Sequence, residues 1–208
     1  MTRVSFKESW VDFAELGSGR AIPGVCDLNL RNTLYTASTP TLFDVGAMKS
    51  LYESYGSFVR THRLTNRSIL LFEAASGQAL TALPDDYSAY PHRGKMNTNA
   101  IIQMTWDGDD SGLAEAAGAW GRSARDLLAK PEMSGYDRPY AYVNYANKDE
   151  PLPALYGYDR WRHERLTALK QSYDPHGFFN AYRAIPSDIS GWGLPAPSLA
   201  PSGHRDEL

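Results

Sequence analysis

Cysteine is nearly missing from this chain. Its 208 residues include one, Cys26, which excludes an internal disulfide and any cysteine-rich metal centre. No apolar run approaches the roughly 18 residues that a membrane-spanning helix needs, so no membrane span is expected. Basic charge is not in excess either. The 21 Lys and Arg are outweighed by 24 Asp and Glu, the net charge is -3, and no local basic run supplies a nucleic-acid footprint. G-x-G-x-x-G, P-loop, Gly-Gly-His, G-x-S-x-G and H-E-x-x-H motifs are all absent. Asp107 to Asp110 opens like a calcium loop, but Gly118 stands at the twelfth position, where a bidentate Glu is required. That stretch therefore reads as a turn, with Asp110 or Ser111 capping a helix. Met1 to Trp10 has no charged segment followed by an apolar core and so no secretory signal, which makes the chain as given cytoplasmic. The last four residues, Arg205-Asp206-Glu207-Leu208, nevertheless resemble a KDEL-type retrieval signal, and the endoplasmic reticulum lumen is the alternative. The sequon Asn66-Arg67-Ser68 matters only in the lumen.

What is present is tyrosine, 13 of them, and patterning. Tyrosine suits a ligand-lining surface and ordinary β packing alike. Residues 1 to 30 show no sustained period, and Trp10 and Phe13 are their candidate anchors. A short strand is expected over Arg31 to Thr36, with a turn at Ser38 to Pro40. Met48, Leu51, Tyr52, Tyr55, Phe58 and Val59 then form a helical stripe. Ser68 to Ala74 is a continuous apolar run of strand length, expected to be central or covered. Glu73 on that strand is either solvent-facing or tuned for proton chemistry. In Thr98 to Trp106, Ala100, Ile102, Met104 and Trp106 alternate with Asn99, Ile101, Gln103 and Thr105, which predicts a half-buried strand whose polar face carries Gln103 and Thr105. Leu113, Ala117, Trp120, Ala124, Leu127 and Leu128 make the next segment an amphipathic helix. No regular βαβ alternation occurs, so the expected class is α+β, an antiparallel β-sheet with helices packed on one face.

Tyr140 to Phe179 carries most of the functional information. It reads as a strand, with Tyr140, Tyr142 and Asn144 on one face and Ala141, Val143 and Tyr145 on the other. A loop follows, and then one helix with Leu155, Tyr158, Leu166, Leu169 and Tyr173 on its apolar arc and Arg160, His163, Glu164 and Lys170 largely elsewhere. His62, His163 and His176 read as surface or cap residues, and Tyr145 and Tyr156 as core and loop anchors. His92, beside Pro91 and Arg93, is either structural or at a site edge. Residues 187 to 208 are rich in Ser, Gly and Pro and read as a flexible tail behind a domain over 1 to 186.

The order Y-x-N-Y, Y-G, R-x-x-x-L-x-x-L-K and Y-D-P-x-x-F-F over Tyr140 to Ile185 resembles the C-terminal segment of the berberine bridge enzyme-like FAD-linked oxidases. Ala89-Tyr90-Pro91-His92-Arg93 ahead of the Ile101 to Trp106 strand is similar to a motif in the substrate domain of the family's fungal members. The likeness is looser over Arg31 to Leu128 and absent at both ends. It implies a substrate-binding domain that takes a small natural product. It also implies that the family's flavin domain, with its glycine-rich loops and ring-bonded His, is not in this chain. No cofactor is expected here, and FAD only if a missing or partner domain supplies it. By the same resemblance Tyr142 and Asn144 lie near the flavin ring and substrate and are the candidate catalytic residues. Tyr140, Gln103, Thr105, His92 and Glu73 are candidate substrate contacts. A Tyr hydroxyl acts as a general acid or base when a nearby cation lowers its pKa. Three readings follow. The chain is the substrate half of such an oxidoreductase with a flavin-domain partner, a stand-alone cofactor-free cyclase or isomerase that is monomeric or a homodimer, or a non-catalytic remnant or binding partner. The first predicts an exposed apolar docking face, the second a closed pocket.

Overall fold

The computed structural model describes residues 30–39, 43–74 and 76–193. Trp10, Phe13, Cys26, the turn at Pro40, the chain from residue 194 onward and the Arg205 to Leu208 signal lie outside the described residues. Three strands, β1 (Leu30–Thr39), β2 (Ile69–Ala74) and β3 (Thr98–Asp107), form an antiparallel sheet in the order β1-β3-β2. The principal helices are α1 (Val45–Thr61), α3 (Ser111–Leu128) and α6 (Arg160–Tyr173), with short helices α2 (Gln78–Thr81), α4 (Pro131–Ser134) and α5 (Leu152–Tyr156) between them. The chain is an α+β protein with helices packed on the sheet, as its patterning predicts.

The alternation of β3 organises the sheet. Ala100, Ile102, Met104 and Trp106 are buried with Tyr35 and Ala37 of β1 and with Leu51, Leu113, Ala117, Ala124 and Leu128 of α1 and α3. Directly paired residues share a face, so the register Ser38↔Asn99, Thr36↔Ile101 and Leu34↔Gln103 on one side, with Glu73↔Asn99 and Leu71↔Ile101 on the other, defines the opposite face. Asp44 and Asp110 cap α1 and α3, accepting from the backbone N–H of Ala47 and from those of Gly112 and Leu113. Trp120 joins the two helices, with its ring 5.7 and 5.6 Å from those of Tyr55 and Phe58 and its indole N–H donating to Ser54 Oγ.

Three expectations are corrected. The Ser68 to Ala74 run holds the edge strand among the described residues, not a central or covered one, and Ile69–Ala74 are half-buried to exposed. Thr98 to Asp107 is central instead, buried along nearly its whole length. Tyr140 to Tyr145 is not a strand. The segment has no ladder partner; Tyr145 N–H closes a turn onto the Tyr142 carbonyl at 3.0 Å, and Ala141 N–H bonds the Ala154 carbonyl at 3.1 Å.

Nor is Leu155 to Tyr173 one helix. Gly157, at φ 91°, separates α5 from α6, and a Cβ there would meet Arg162 Nε at 2.9 Å and Pro91 Cβ at 3.1 Å. The face α6 buries is Arg162, His163, Leu166, Thr167 and Lys170, while Leu169 is 45% and Tyr173 82% exposed. Polar side chains are tolerated inside because each has a partner. Arg162 pairs with Asp85 at 2.7 Å, His163 Nε2 donates to the Gly157 carbonyl at 2.6 Å, and Lys170 binds Asp174 and the Phe179 carbonyl. His163, expected at the surface, stacks on Trp192 with centroids 4.1 Å apart, and the Trp192 indole N–H donates to Thr167 Oγ1. Packing thus continues past residue 186 to the buried Trp192.

Gly121 is where α3 comes closest to the sheet, since a Cβ there would lie 2.5 Å from the buried Tyr35 ring. Gly118, one turn earlier, would make only ordinary contacts at 3.4 Å. Gly121→Ala is expected to lower stability by about 1–2 kcal/mol despite its gain in helix propensity, whereas Gly118→Ala is neutral or stabilising. Urea unfolding of the two variants checks this contrast.

Candidate functional site

Where the face of the sheet opposite α1 and α3 meets the segment after Pro139, a cleft of about 310 Å³ opens between β2 and Tyr142. Glu73, Leu80, Tyr90, Met96, Asn99 and Tyr142 line it. The volume falls at the small end of ligand pockets, which span about 300–1,000 Å³. The loop that carries Tyr142 has no strand partner, so it is held point by point. The buried His92 donates from Nε2 to the Ala141 carbonyl at 3.0 Å, Arg183 donates to the Val143 carbonyl, and Asn147 Nδ2 donates to Leu34 O at 2.6 Å and Thr33 Oγ1 at 2.9 Å.

Each polar group in the cleft has a defined disposition. Asn144 Nδ2 donates to the Tyr142 hydroxyl at 2.8 Å, which leaves the phenolic hydrogen to point elsewhere. The Tyr142 and Tyr145 rings meet edge to face at 5.3 Å. Burial, then the nearby Glu73 charge, raises the Tyr145 pKa. Tyr90 is raised by burial and by Tyr142, against a smaller lowering by Arg93. These two phenols therefore stay protonated at neutral pH and serve as hydrogen-bond donors, so a cation-lowered phenolate does not describe them. The Thr36 and Ser38 hydroxyls lie 2.7 and 3.1 Å from Asn99 Oδ1, which turns the Asn99 amide nitrogen away from β1.

The residues singled out in the sequence separate into four groups. Glu73, Tyr142 and Asn144 come together at the cleft. His92 lies beneath it, between the Tyr90 and Tyr140 rings at 5.6 and 6.0 Å. Tyr140 faces away into a cluster with Tyr136 and Tyr158 and lines a separate cavity beside Arg125 and Glu150. Gln103 and Thr105 lie on the same sheet face as Asn99 but further along β3, where Gln103 Nε2 contacts Thr105 Oγ1 at 3.3 Å; neither lines the cleft. Asn99 and Tyr90 were not among the chosen residues. Period-two spacing from Gln103 back to Asn99, and the place of Tyr90 just before Pro91, were the available signals.

A dinucleotide's phosphates need free backbone N–H groups at a helix start or a glycine-rich turn. The N-termini of α1 and α3 are closed by the carboxylates of Asp44 and Asp110, and Asp159 stands at the start of α6. A phosphate there would meet a like charge, so none of these three helix starts fits a dinucleotide's phosphates. Among them, no cluster of His, Cys, Asp and Glu is arranged to hold a metal, and no helix is long and apolar enough to cross a membrane.

Burial holds the His92 imidazole neutral, lowering its pKa from 6.5 to about 4; the bond to Ala141 opposes this, and Lys95 and Arg162 add to it. The unfolded chain takes up a proton below about pH 6.5, the folded one only near 4. The unfolded state thus binds more protons in that window, and stability is lost as pH falls through it. His92→Asn keeps a donor for Ala141 and is expected to flatten the decline between pH 6.5 and 4 by up to about 3 kcal/mol. Urea unfolding at several pH values measures it, and parallel wild-type and variant curves would contradict this account of His92.

Comparison with known proteins bears on the fold and the C-terminal segment. A family profile described as "Berberine and berberine like" matches residues 141–186. The FAD-linked oxidoreductase OXR1 of Pyricularia oryzae is 37% identical over 145 residues, covering 69% of this chain and 28% of the relative. The FAD-linked oxidoreductase fogF of Aspergillus ruber is 29% identical over 184 residues, covering 88% of this chain and 36% of the relative. Among solved structures, berberine bridge enzyme from Eschscholzia californica superposes with a TM-score of 0.59 at 17% identity, over 76% of this chain and 33% of that one. BBE-like #28 from Arabidopsis thaliana gives 0.60 at 16% identity, over 76% and 34%. At those identities the structural likeness concerns the fold. The chain spans about 28% of the length of the first of these relatives. With this sheet, this C-terminal segment and these relatives, the chain carries a berberine-like C-terminal segment and is similar to about a third of the length of the berberine bridge enzyme-like FAD-linked oxidoreductases.

Proposed function

We propose that this chain is the substrate-binding part of a berberine bridge enzyme-like oxidoreductase acting on a small natural product, with its flavin held by another segment or chain. The observation that carries the reading is the cleft itself, where Glu73, Asn99 and Tyr142 converge on the face of the sheet opposite α1 and α3. Tyr142, steadied by Asn144, orients a ligand oxygen or nitrogen. Glu73 accepts a hydrogen bond from the ligand and is placed to take up its proton. Leu80 and Met96 supply apolar contact. Flavin, when present, supplies the redox chemistry of the family.

Two further features favour this reading over a self-contained cyclase. The cleft is open, whereas a cyclase must enclose and fold its substrate. Tyr173, Phe178, Phe179 and Tyr182 are 76% to 82% exposed around a groove beside α6, an apolar surface suited to docking a further domain. Chain mixed with FAD and then desalted is expected to come through colourless, while retaining the ability to bind small aromatic ligands. A stoichiometric flavin absorption band on the desalted chain would overturn the assignment of flavin binding to another segment.

A further inference from the structure

We infer that the cleft selects ligands bearing a protonated amine, a refinement that rests on reading it as the substrate site. Glu73 brings a carboxylate to its wall and makes no ion pair with any described residue. The neutral Tyr145 phenol lies near enough to feel its charge. No Lys, Arg or His lines the cleft. Arg93, whose charge is felt at Tyr90, is engaged with the Leu80 carbonyl at 2.8 Å and Ser88 Oγ at 2.9 Å, and sits against the Tyr87 ring.

A ligand that fills this space strips water from a carboxylate that has no counter-ion among the described residues. That cost is met best by a ligand carrying positive charge. The remaining walls suit such a ligand. The rings of Tyr90 and Tyr142, with Tyr145 edge-on to Tyr142, offer π faces on which an ammonium group is attracted by the ring quadrupole. The Met96 thioether adds a polarisable contact. A neutral hydroxyl satisfies Glu73 through one hydrogen bond but gains neither the charge pairing nor the cation–π attraction. An anionic ligand is repelled by Glu73 and finds no cation among the lining residues.

The test compares tyramine with tyrosol, which differ in bearing an ammonium or a hydroxyl at the end of the same aryl-ethyl frame. Binding to the full chain is measured near neutral pH by ligand-observed NMR titration. Tyramine is expected to bind at least about tenfold more tightly, equivalent to about 1.4 kcal/mol. Glu73→Gln, a substitution at an exposed edge-strand position, should bring the two affinities within about twofold of each other. Tyr142→Ala should weaken both probes. Equal affinities for the wild-type chain would overturn the amine preference and leave the cleft as a binding site. A preference that survives Glu73→Gln would overturn the role of that carboxylate. Failure of both probes to bind, or binding untouched by Tyr142→Ala, would overturn the amine inference together with the site beneath it.

Discussion

The period-two alternation of β3, fixed by antiparallel partners on both edges, is the constraint on which the rest of the structure depends. It commits Ala100, Ile102, Met104 and Trp106 to the helix-packed core and turns Asn99, Ile101, Gln103 and Thr105 the other way. A one-residue slip would exchange the two sets. It would also separate Asn99 from Glu73 and from Ser38, which are its direct partners across the ladder. The cleft therefore inherits its polar floor from the same register that builds the core.

The upper wall is made differently. The segment after Pro139 has no ladder to hold it, and buried polar groups take over that task. His92 fixes the Ala141 carbonyl, Arg183 fixes that of Val143, and the Tyr156 hydroxyl donates to the Arg183 carbonyl at 2.9 Å. Trp192 then closes the far end against His163 and Tyr156. The α6 side chains that look polar in sequence serve as internal fasteners, and the apolar side chains they displace, Leu169 and Tyr173, are left facing outward. An inward polar face beside an outward apolar one is the arrangement expected where a second body completes a fold.

The fold class, the α1 and α3 stripes, the β3 alternation and the Asp110 cap were legible because each is a local pattern that tertiary contacts reinforce. The edge position of β2 was not, because a continuous apolar run of strand length is the same on an edge as in a centre until its neighbours are known. Tyr140 to Tyr145 has strand-like alternation but no partner to pair with, and a turn back onto Tyr142 was available to it. Periodicity also misjudged α6, since it assigns burial by hydropathy and carries no information on whether Arg162, His163 and Lys170 each find a partner. At the cleft, family resemblance singled out Tyr142 and Asn144, and Glu73 drew notice as a carboxylate on an apolar strand. Their meeting with Asn99 and Tyr90 is a consequence of register and loop path, which no local window contains.

The described residues thus set a carboxylate on the sheet edge and phenols on the loops facing it, with an apolar flank beside α6. The central claim is that His92 holds the Tyr142 loop against β2. Amide hydrogen exchange of the labelled chain tests this most directly: the Ala141 and Tyr145 amides, bonded to the Ala154 and Tyr142 carbonyls, should be protected in the wild type and lose that protection in His92→Ala. Unprotected amides in the wild type, or unchanged protection in His92→Ala, would contradict it.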